Sequence, residues 1–283
     1  MRRQVTPLLR AFWRACWHPV SRALWRTFLM LTVIFPVWGW AADWPQSTKL
    51  SGNAFLPPGL LQLQADAVNS PVALWLDRGA AQWTDSSTGP SCQSCHGPVD
   101  NMKAAAGTFP RLSAKPASNG STLINLEDQI ATCSARAGRT AARVEEDDLL
   151  ALSALLNNAA KGVAINVKSP QGDNNAWQIR LNRGTQLFNT RLGRINLACV
   201  HCHEQNVGRQ MRLDVISPGN PTGFPIYRMS WQRLGSIERR LRACYSGVQA
   251  VLPPPGHSDL RDLELYLKVR ANGMPQDGPS IRR

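Results

Sequence analysis

Apolar positions recur along the chain in two matching sets. Leu123, Leu126, Ile130 and Cys133 follow one another at steps of 3, 4 and 3, and Leu234, Ile237, Leu241 and Cys244 repeat those steps 111 residues later. Such steps bring side chains onto one stripe of a helix. Both segments are therefore predicted helical, with the stripe turned inward, a thiol at its C-terminal end, and Glu127 or Glu238 beside it. An earlier helix is predicted over Leu76 to Trp83 in the first set and Leu181 to Phe188 in the second, each ending near an aromatic residue. Phe109-Pro110 and Phe224-Pro225 stand before the stripes, and closing helices run from about Glu145 to Asn157 and from about Asp259 to Val269. The pattern predicts a mainly α protein that repeats one plan in tandem, over 43–170 and 171–283. Asp43 to about Ser70 reads as an irregular arm, and the tail from Asn272 as loosely held.

The chemistry lies between the early helix and the Phe-Pro pair of each copy. Cys92-Gln93-Ser94-Cys95-His96 and Cys199-Val200-His201-Cys202-His203 both have the form Cys-x-x-Cys-His. In that form two thiols add to the vinyl groups of a porphyrin, and the adjoining imidazole reaches the iron. Two covalently bound haem c groups are expected, on Cys92 and Cys95 and on Cys199 and Cys202, with His96 and His203 as iron ligands. Each copy is then a class I cytochrome c-like haem domain. A thioredoxin-like pair or half of a zinc site would share the two-cysteine spacing.

Composition changes this picture in one respect, the address. The first 42 residues carry six arginines and no acid, and the apolar run Thr27 to Ala42 ends in Gly39-Trp40-Ala41-Ala42. That reads as a secretory signal peptide over 1–42, with an uncleaved anchor as the alternative, although the run is short for a span and Pro36 interrupts it. Export to the periplasm follows, with no membrane attachment after cleavage. The whole chain has a formal charge of +13; without the six arginines 26 basic residues face 19 acidic ones, leaving +7. A basic surface favours encounter with an anion or an acidic protein. No basic stretch is interleaved with aromatics, so nucleic acid is not an expected partner.

Cys16 leaves with the signal, and four of the remaining cysteines are used by haem attachment. Cys133 and Cys244 are left, one per haem. A disulfide between them is the plain reading for an oxidising compartment. Their matching register argues instead that each thiolate is the sixth ligand of its iron. His201, His257, Met102, Met211, Met229 and Met274 are the competing ligands, but no methionine recurs at matching positions. The copies differ four residues before the thiol, where the first has Gln129 and the second Arg240, flanked by Arg239 and Arg242. On a helix that spacing sets a guanidinium beside Cys244, favouring thiolate and an anionic substrate. A solvated basic face is the bland alternative.

These residues resemble a family. Two Cys-x-x-Cys-His motifs each followed by a spare cysteine, the run Arg239-Arg240-Leu241-Arg242-Ala243-Cys244, and Leu263-Glu264-Leu265-Tyr266-Leu267 are similar to the dihaem SoxA subunit of the SoxAX cytochromes. The resemblance implies His96 and Cys133 on the first iron, His203 and Cys244 on the second, and Cys244 and Arg240 as catalytic residues. It implies an L-cysteine S-thiosulfotransferase, a heterodimer with the small cytochrome SoxX. The activity would join thiosulfate oxidatively to a cysteine of the carrier SoxYZ, with two electrons leaving through haem. A thiosulfate dehydrogenase forming tetrathionate and a plain dihaem electron carrier are the rivals.

Overall fold

A computed structural model describes residues 49–113, 122–139, 145–171 and 174–283. The signal-like segment 1–42, with Cys16, lies outside the described residues. Gln46–Arg283 forms one compact unit. It is mainly helical and has two helix-rich lobes. The first contains α1 (Pro58–Ala65), α2 (Ala73–Thr84), α3 (Cys92–His96), α4 (Leu126–Arg136) and α5 (Asp147–Ala159). The second contains α6 (Asn174–Asn189), α7 (Cys199–His203), α8 (Ile237–Gly247) and α9 (Ser258–Arg270). Among the described residues no helix is long and apolar enough to cross a membrane.

The repeat is built from local chemistry. In each lobe the early helix packs on the closing helix through a glycine: a Cβ on Gly79 would lie 2.4 Å from the Ala151 carbonyl oxygen, and one on Gly184 would lie 2.1 Å from that of Asp262. Only a residue without a side chain allows backbones so close. The preceding arginine secures the same pair, Arg78 Nε on Asp148 at 2.7 Å and Arg183 Nη2 on Asp259 at 3.2 Å. Trp83 and Phe188 end the early helices as buried anchors.

The stripe helices start later than the periodicity indicates. Asn125 caps α4, its side chain accepting from the Asp128 N–H at 3.0 Å while Asp128 accepts from the Asn125 N–H at 3.1 Å. Ser236 Oγ caps α8 by accepting from the Arg239 N–H at 3.2 Å. Such caps satisfy the free N–H groups of the first turn and fix the start. Leu123 and Leu234 therefore fall outside the helices, in strands β2 (Leu123–Ile124) and β6 (Arg233–Gly235). Both are buried, so the stripe continues inward although the helix does not.

Two further expectations are corrected. The segment read as an irregular arm contains α1, begun by Pro58 at its first turn, where a missing N–H costs nothing. Its Leu60 and Leu63 pack on a buried cluster of Val72, Leu150, Ala154, Tyr227, Leu234 and Ile281. The tail is not loose. Ser280–Arg282 forms strand β7, with Ser280 and Ile281 wholly buried. It runs parallel to β5 (Ile226–Arg228), which also pairs antiparallel with β6, giving the order β6-β5-β7. Tail composition, rich in Gly and Pro, hid a strand that owes its order to this pairing. The short strands β1 (Arg111–Leu112) and β2 pair in the first lobe, and β3 (Gln210–Met211) and β4 (Asp214–Val215) form an exposed hairpin in the second.

Each lobe has its own core: Trp83, Phe109, Leu126, Leu152 and Leu156 in the first, and Phe188, Leu241, Tyr245, Leu260 and Leu263 in the second. A third cluster joins them, with Leu123 from the first, Ile165 and Val167 from the connection, and Trp177, Leu265 and Met274 from the second.

Candidate functional site

In the first lobe Ser91 caps α3, its Oγ accepting from the Ser94 N–H at 3.0 Å, which starts the motif helix at Cys92. Cys92, Cys95 and His96 form one wall of a cleft that Met102, Phe109, Leu126, Ile130, Leu152 and Leu156 line with apolar surface and Cys133 closes. Its empty space is about 1080 Å³, part of it open to solvent. Burial pushes the Cys92 thiol up, with Arg139 opposing. Gln129 Nε2 stands 3.1 Å from Cys133 Sγ, so the predicted four-residue pairing on α4 is present. Cations are not missing from this cleft, as Arg111 and Arg139 line it. Arg111 is spent on the Gln129 amide oxygen at 3.0 Å and on the Phe109 ring at 4.4 Å. The group touching the sulfur is a neutral amide.

In the second lobe His203 Nδ1 lies 2.7 Å from the Ser217 carbonyl oxygen. A carbonyl only accepts, so Nδ1 donates to it, and Nε2 is the ring nitrogen left to meet Cys244. Gly219, with φ 76°, makes room for this ring: a Cβ there would lie 2.9 Å from Nδ1. The other face of the imidazole meets Cys244, with which His203 shares a side-chain hydrogen bond. Burial would push the Cys244 thiol up, but Arg240, then His203 and Arg228, bring it down to about 7. Burial pushes the neighbouring Cys199 up to about 12, and the charge of Cys244 adds to that. One sulfur biased to thiolate thus stands near another that stays a thiol.

The three arginines of the run part company. Arg239 stacks on the Trp231 ring at 4.5 Å, and Arg242 Nε donates to the Pro253 carbonyl at 3.0 Å. Arg240 has no carboxylate or carbonyl partner among the described residues, and its charge falls on Cys244. Sequence spacing did not find Arg228. It lies on β5, bonded to Ser230 Oγ at 3.2 Å and 3.8 Å from Asp214, and its charge also acts on Cys244. Arg282 is its β7 partner in register and a neighbour of Arg240 in charge. An arginine follows the Phe-Pro pair in both copies, Arg111 and Arg228, and that signal could have pointed to it.

The other sulfur and nitrogen groups also have definite places. The six described cysteines are all free thiols, so Cys133 and Cys244 are not joined. Met102 lines the first cleft together with Cys133. Met274 is buried in the cluster between the lobes, Met211 and Met229 are exposed, and His257 caps α9 by accepting from the Asp259 N–H at 3.2 Å. His201 Nδ1 is held by the Ala198 N–H at 2.9 Å inside its own motif loop. Among the described residues no group of three or more His, Cys, Asp or Glu side chains is placed to hold a metal ion by itself.

A helical pair bearing Cys-x-x-Cys-His, with an apolar cleft facing its histidine, defines a c-type cytochrome. The family model described as SoxA/TsdA, cytochrome c domain, matches residues 78–165. The L-cysteine S-thiosulfotransferase subunit SoxA of Pseudaminobacter salicylatoxidans is 29% identical over 84% of this chain and 82% of its own length. That of Paracoccus pantotrophus is 29% identical over 83% and 79%. The crystal structure of SoxXA from P. pantotrophus superposes with a TM-score of 0.73 at 29% identity, covering 82% of this chain and 86% of that one. Over most of its length the chain is similar to SoxA-type dihaem cytochrome c subunits of SoxAX complexes.

Proposed function

We propose that this chain is the catalytic subunit of a periplasmic SoxAX-type L-cysteine S-thiosulfotransferase. It couples thiosulfate oxidatively to a cysteine of a SoxYZ-type carrier, and two electrons pass by way of haem toward a SoxX-type cytochrome. The observation that carries this reading is the convergence on Cys244 of the His203 hydrogen bond and the charges of Arg240 and Arg228, Arg240 having no carboxylate or carbonyl partner among the described residues. In this reading 1–42 is the signal, and 43–170 and 171–283 are haem domains.

The donor sets fit two haems. Cys92 and Cys95 would anchor the first, with His96 and Cys133 on its iron and the apolar cleft wall against its macrocycle; Arg111 and Arg139 at the cleft suit its propionates. Cys199 and Cys202 would anchor the second, with His203 and Cys244 on its iron. The Ser217 carbonyl sets the required tautomer of His203. When bound, haem supplies an acceptor for electrons, one at a time.

The chain's own residues perform the remaining tasks. Arg240 and Arg228 meet the two negative charges of thiosulfate, which would otherwise be repelled by a thiolate. The Cys244 thiolate and the outer sulfur of thiosulfate would join with loss of two electrons, for which haem would be the acceptor, and a carrier thiolate would then take the thiosulfonate group and release the Cys244 thiolate. In sum, a carrier thiol and thiosulfate give a protein S-thiosulfonate, one proton and two electrons. Incubation of the oxidised holoprotein and its small cytochrome with thiosulfate, with and without carrier, tests this. Thiosulfonate on the carrier cysteine is expected; tetrathionate formed without carrier would make the protein a dehydrogenase, and neither product would leave an electron carrier.

A further inference from the structure

Arg261 is 1% exposed, and its guanidinium collects carboxylates from three helices. Nε and Nη2 bridge Asp128 of α4 at 2.9 and 3.0 Å. Nη1 donates to Glu238 of α8 at 2.9 Å and stands 3.4 Å from Glu264 on its own helix, α9. Asp128 lies five residues before Cys133 and Glu238 six before Cys244, so a single side chain ties together the two helices that bear those sulfurs.

Among the described residues the charges here do not balance. Lys268 is buried one turn beyond Glu264, its Nζ donating to the Pro221 carbonyl at 3.1 Å, and Glu127 of α4 accepts from Ser153 Oγ of α5 at 2.7 Å. Both act electrostatically on Glu264. Among the described residues four carboxylates, Glu127, Asp128, Glu238 and Glu264, thus face two cations, Arg261 and Lys268. A buried excess of negative charge is relieved by taking up a proton. Asp128 has the two-point bridge and the Asn125 N–H, Glu238 has Arg261 and the Gly256 N–H at 2.7 Å, and partly buried Glu127 has the Ser153 hydroxyl. Glu264 has the Asn125 amide at 3.1 Å and only the long, shared contact to Arg261. Burial, against the pull of Arg261, pushes its carboxyl up to about 7.

We propose that Glu264 is a proton-binding site shared by the two lobes, taking up a proton from solvent when an electron reaches an iron held from α4 or α8. The carboxylate becomes a carboxylic acid as ferric iron becomes ferrous, so the interior gains no net charge; both changes reverse when the electron leaves. The electrons come from sulfur coupling in turnover and from a chemical reductant in a titration. This inference goes beyond thiosulfate transfer and rests on the haem-bearing reading of the two motifs.

Potentiometric titration of the intact holoprotein at several pH values between about 6 and about 8, with haem counted by intact mass, tests it. Midpoint potentials are expected to fall as pH rises, and Glu264→Gln, which keeps the size and the Asn125 contact, is expected to lose that dependence while retaining both haems. A Glu264→Gln protein with the wild-type pH dependence would overturn the proposal and leave the haem reading standing, whereas a chain without covalent haem overturns both. Should the variant not fold, the reduced-minus-oxidised infrared spectrum of the wild type decides: a gain of carboxylic acid C=O absorption on reduction supports the site, and its absence overturns it.

Discussion

The two sulfur sites share a scaffold and differ at the residue that meets the sulfur. Both lobes have a glycine contact between early and closing helices, an arginine–aspartate clasp on that contact, a capped stripe helix and a thiol toward its end. In the first, Gln129 offers the sulfur a neutral amide and keeps Arg111 one group away. In the second, the charge of Arg240 falls on the sulfur and Arg228 adds its own from the sheet. The comparison teaches that the fold is indifferent to which of these is installed. Holding a thiol in each lobe is a property of the repeated plan, and favouring its thiolate in the second lobe rests first on Arg240, one helical turn away, with His203 and Arg228 adding to it.

That contrast can be broken most severely by removing each thiol in turn. Cys244→Ala is expected to lower carrier-dependent thiosulfate coupling by at least about 1000-fold, whereas Cys133→Ala keeps coupling within about 10-fold and alters only the spectrum of the first haem. Steady-state assays beside electron paramagnetic resonance separate the two. Next in size is the cation. Arg240→Met is expected to reduce kcat/KM for thiosulfate by about 100-fold, with Gln129→Met nearly silent. In haem-free chain the Cys244 thiol, now near 7, should then titrate higher, read as slower alkylation at neutral pH. Arg228→Gln, which leaves Arg240 in place, is expected to raise KM about 10-fold with a smaller change in kcat.

The smallest effect concerns the buried network between the lobes. Glu264 has a folded pKa raised to about 7, so its contribution favours the folded state below the unfolded value near 4.5 and is lost as pH rises through 7. Thermal unfolding should therefore show stability falling by about 1 kcal/mol or more between acidic and mildly basic pH, with a flatter profile in Glu264→Gln. Removing the central cation is a harsher test of the same region, since one-sided loss of a buried ion pair costs about 3–5 kcal/mol.

The helices and the haem motifs were legible because they depend on short-range spacing. Steps of three and four residues located α4 and α8, and the four-residue interval placed Gln129 and Arg240 against their sulfurs as expected. Leu123 and Leu234 fit the same steps but lie in strands, because a cap at Asn125 or Ser236 ends the helix without disturbing the inward face. Long-range partners left no such trace. Arg228 joins the site only because β5 pairs with β6 and β7, and β7 comes from a Gly- and Pro-rich tail that has no strand pattern of its own. Arg261 lies within the helix expected over Asp259 to Val269, but nothing in that spacing points to its partners Asp128 and Glu238, which come from both copies of the repeat.

The most direct measurement is the sulfur content of each thiol after the oxidised holoprotein has met thiosulfate without carrier, read by mass spectrometry of the two cysteine-bearing peptides. Added sulfur on the peptide containing Cys244, and none on that containing Cys133, is the expected result. Equal addition at both, or addition at Cys133 alone, would contradict the assignment of reactivity to the sulfur beside Arg240.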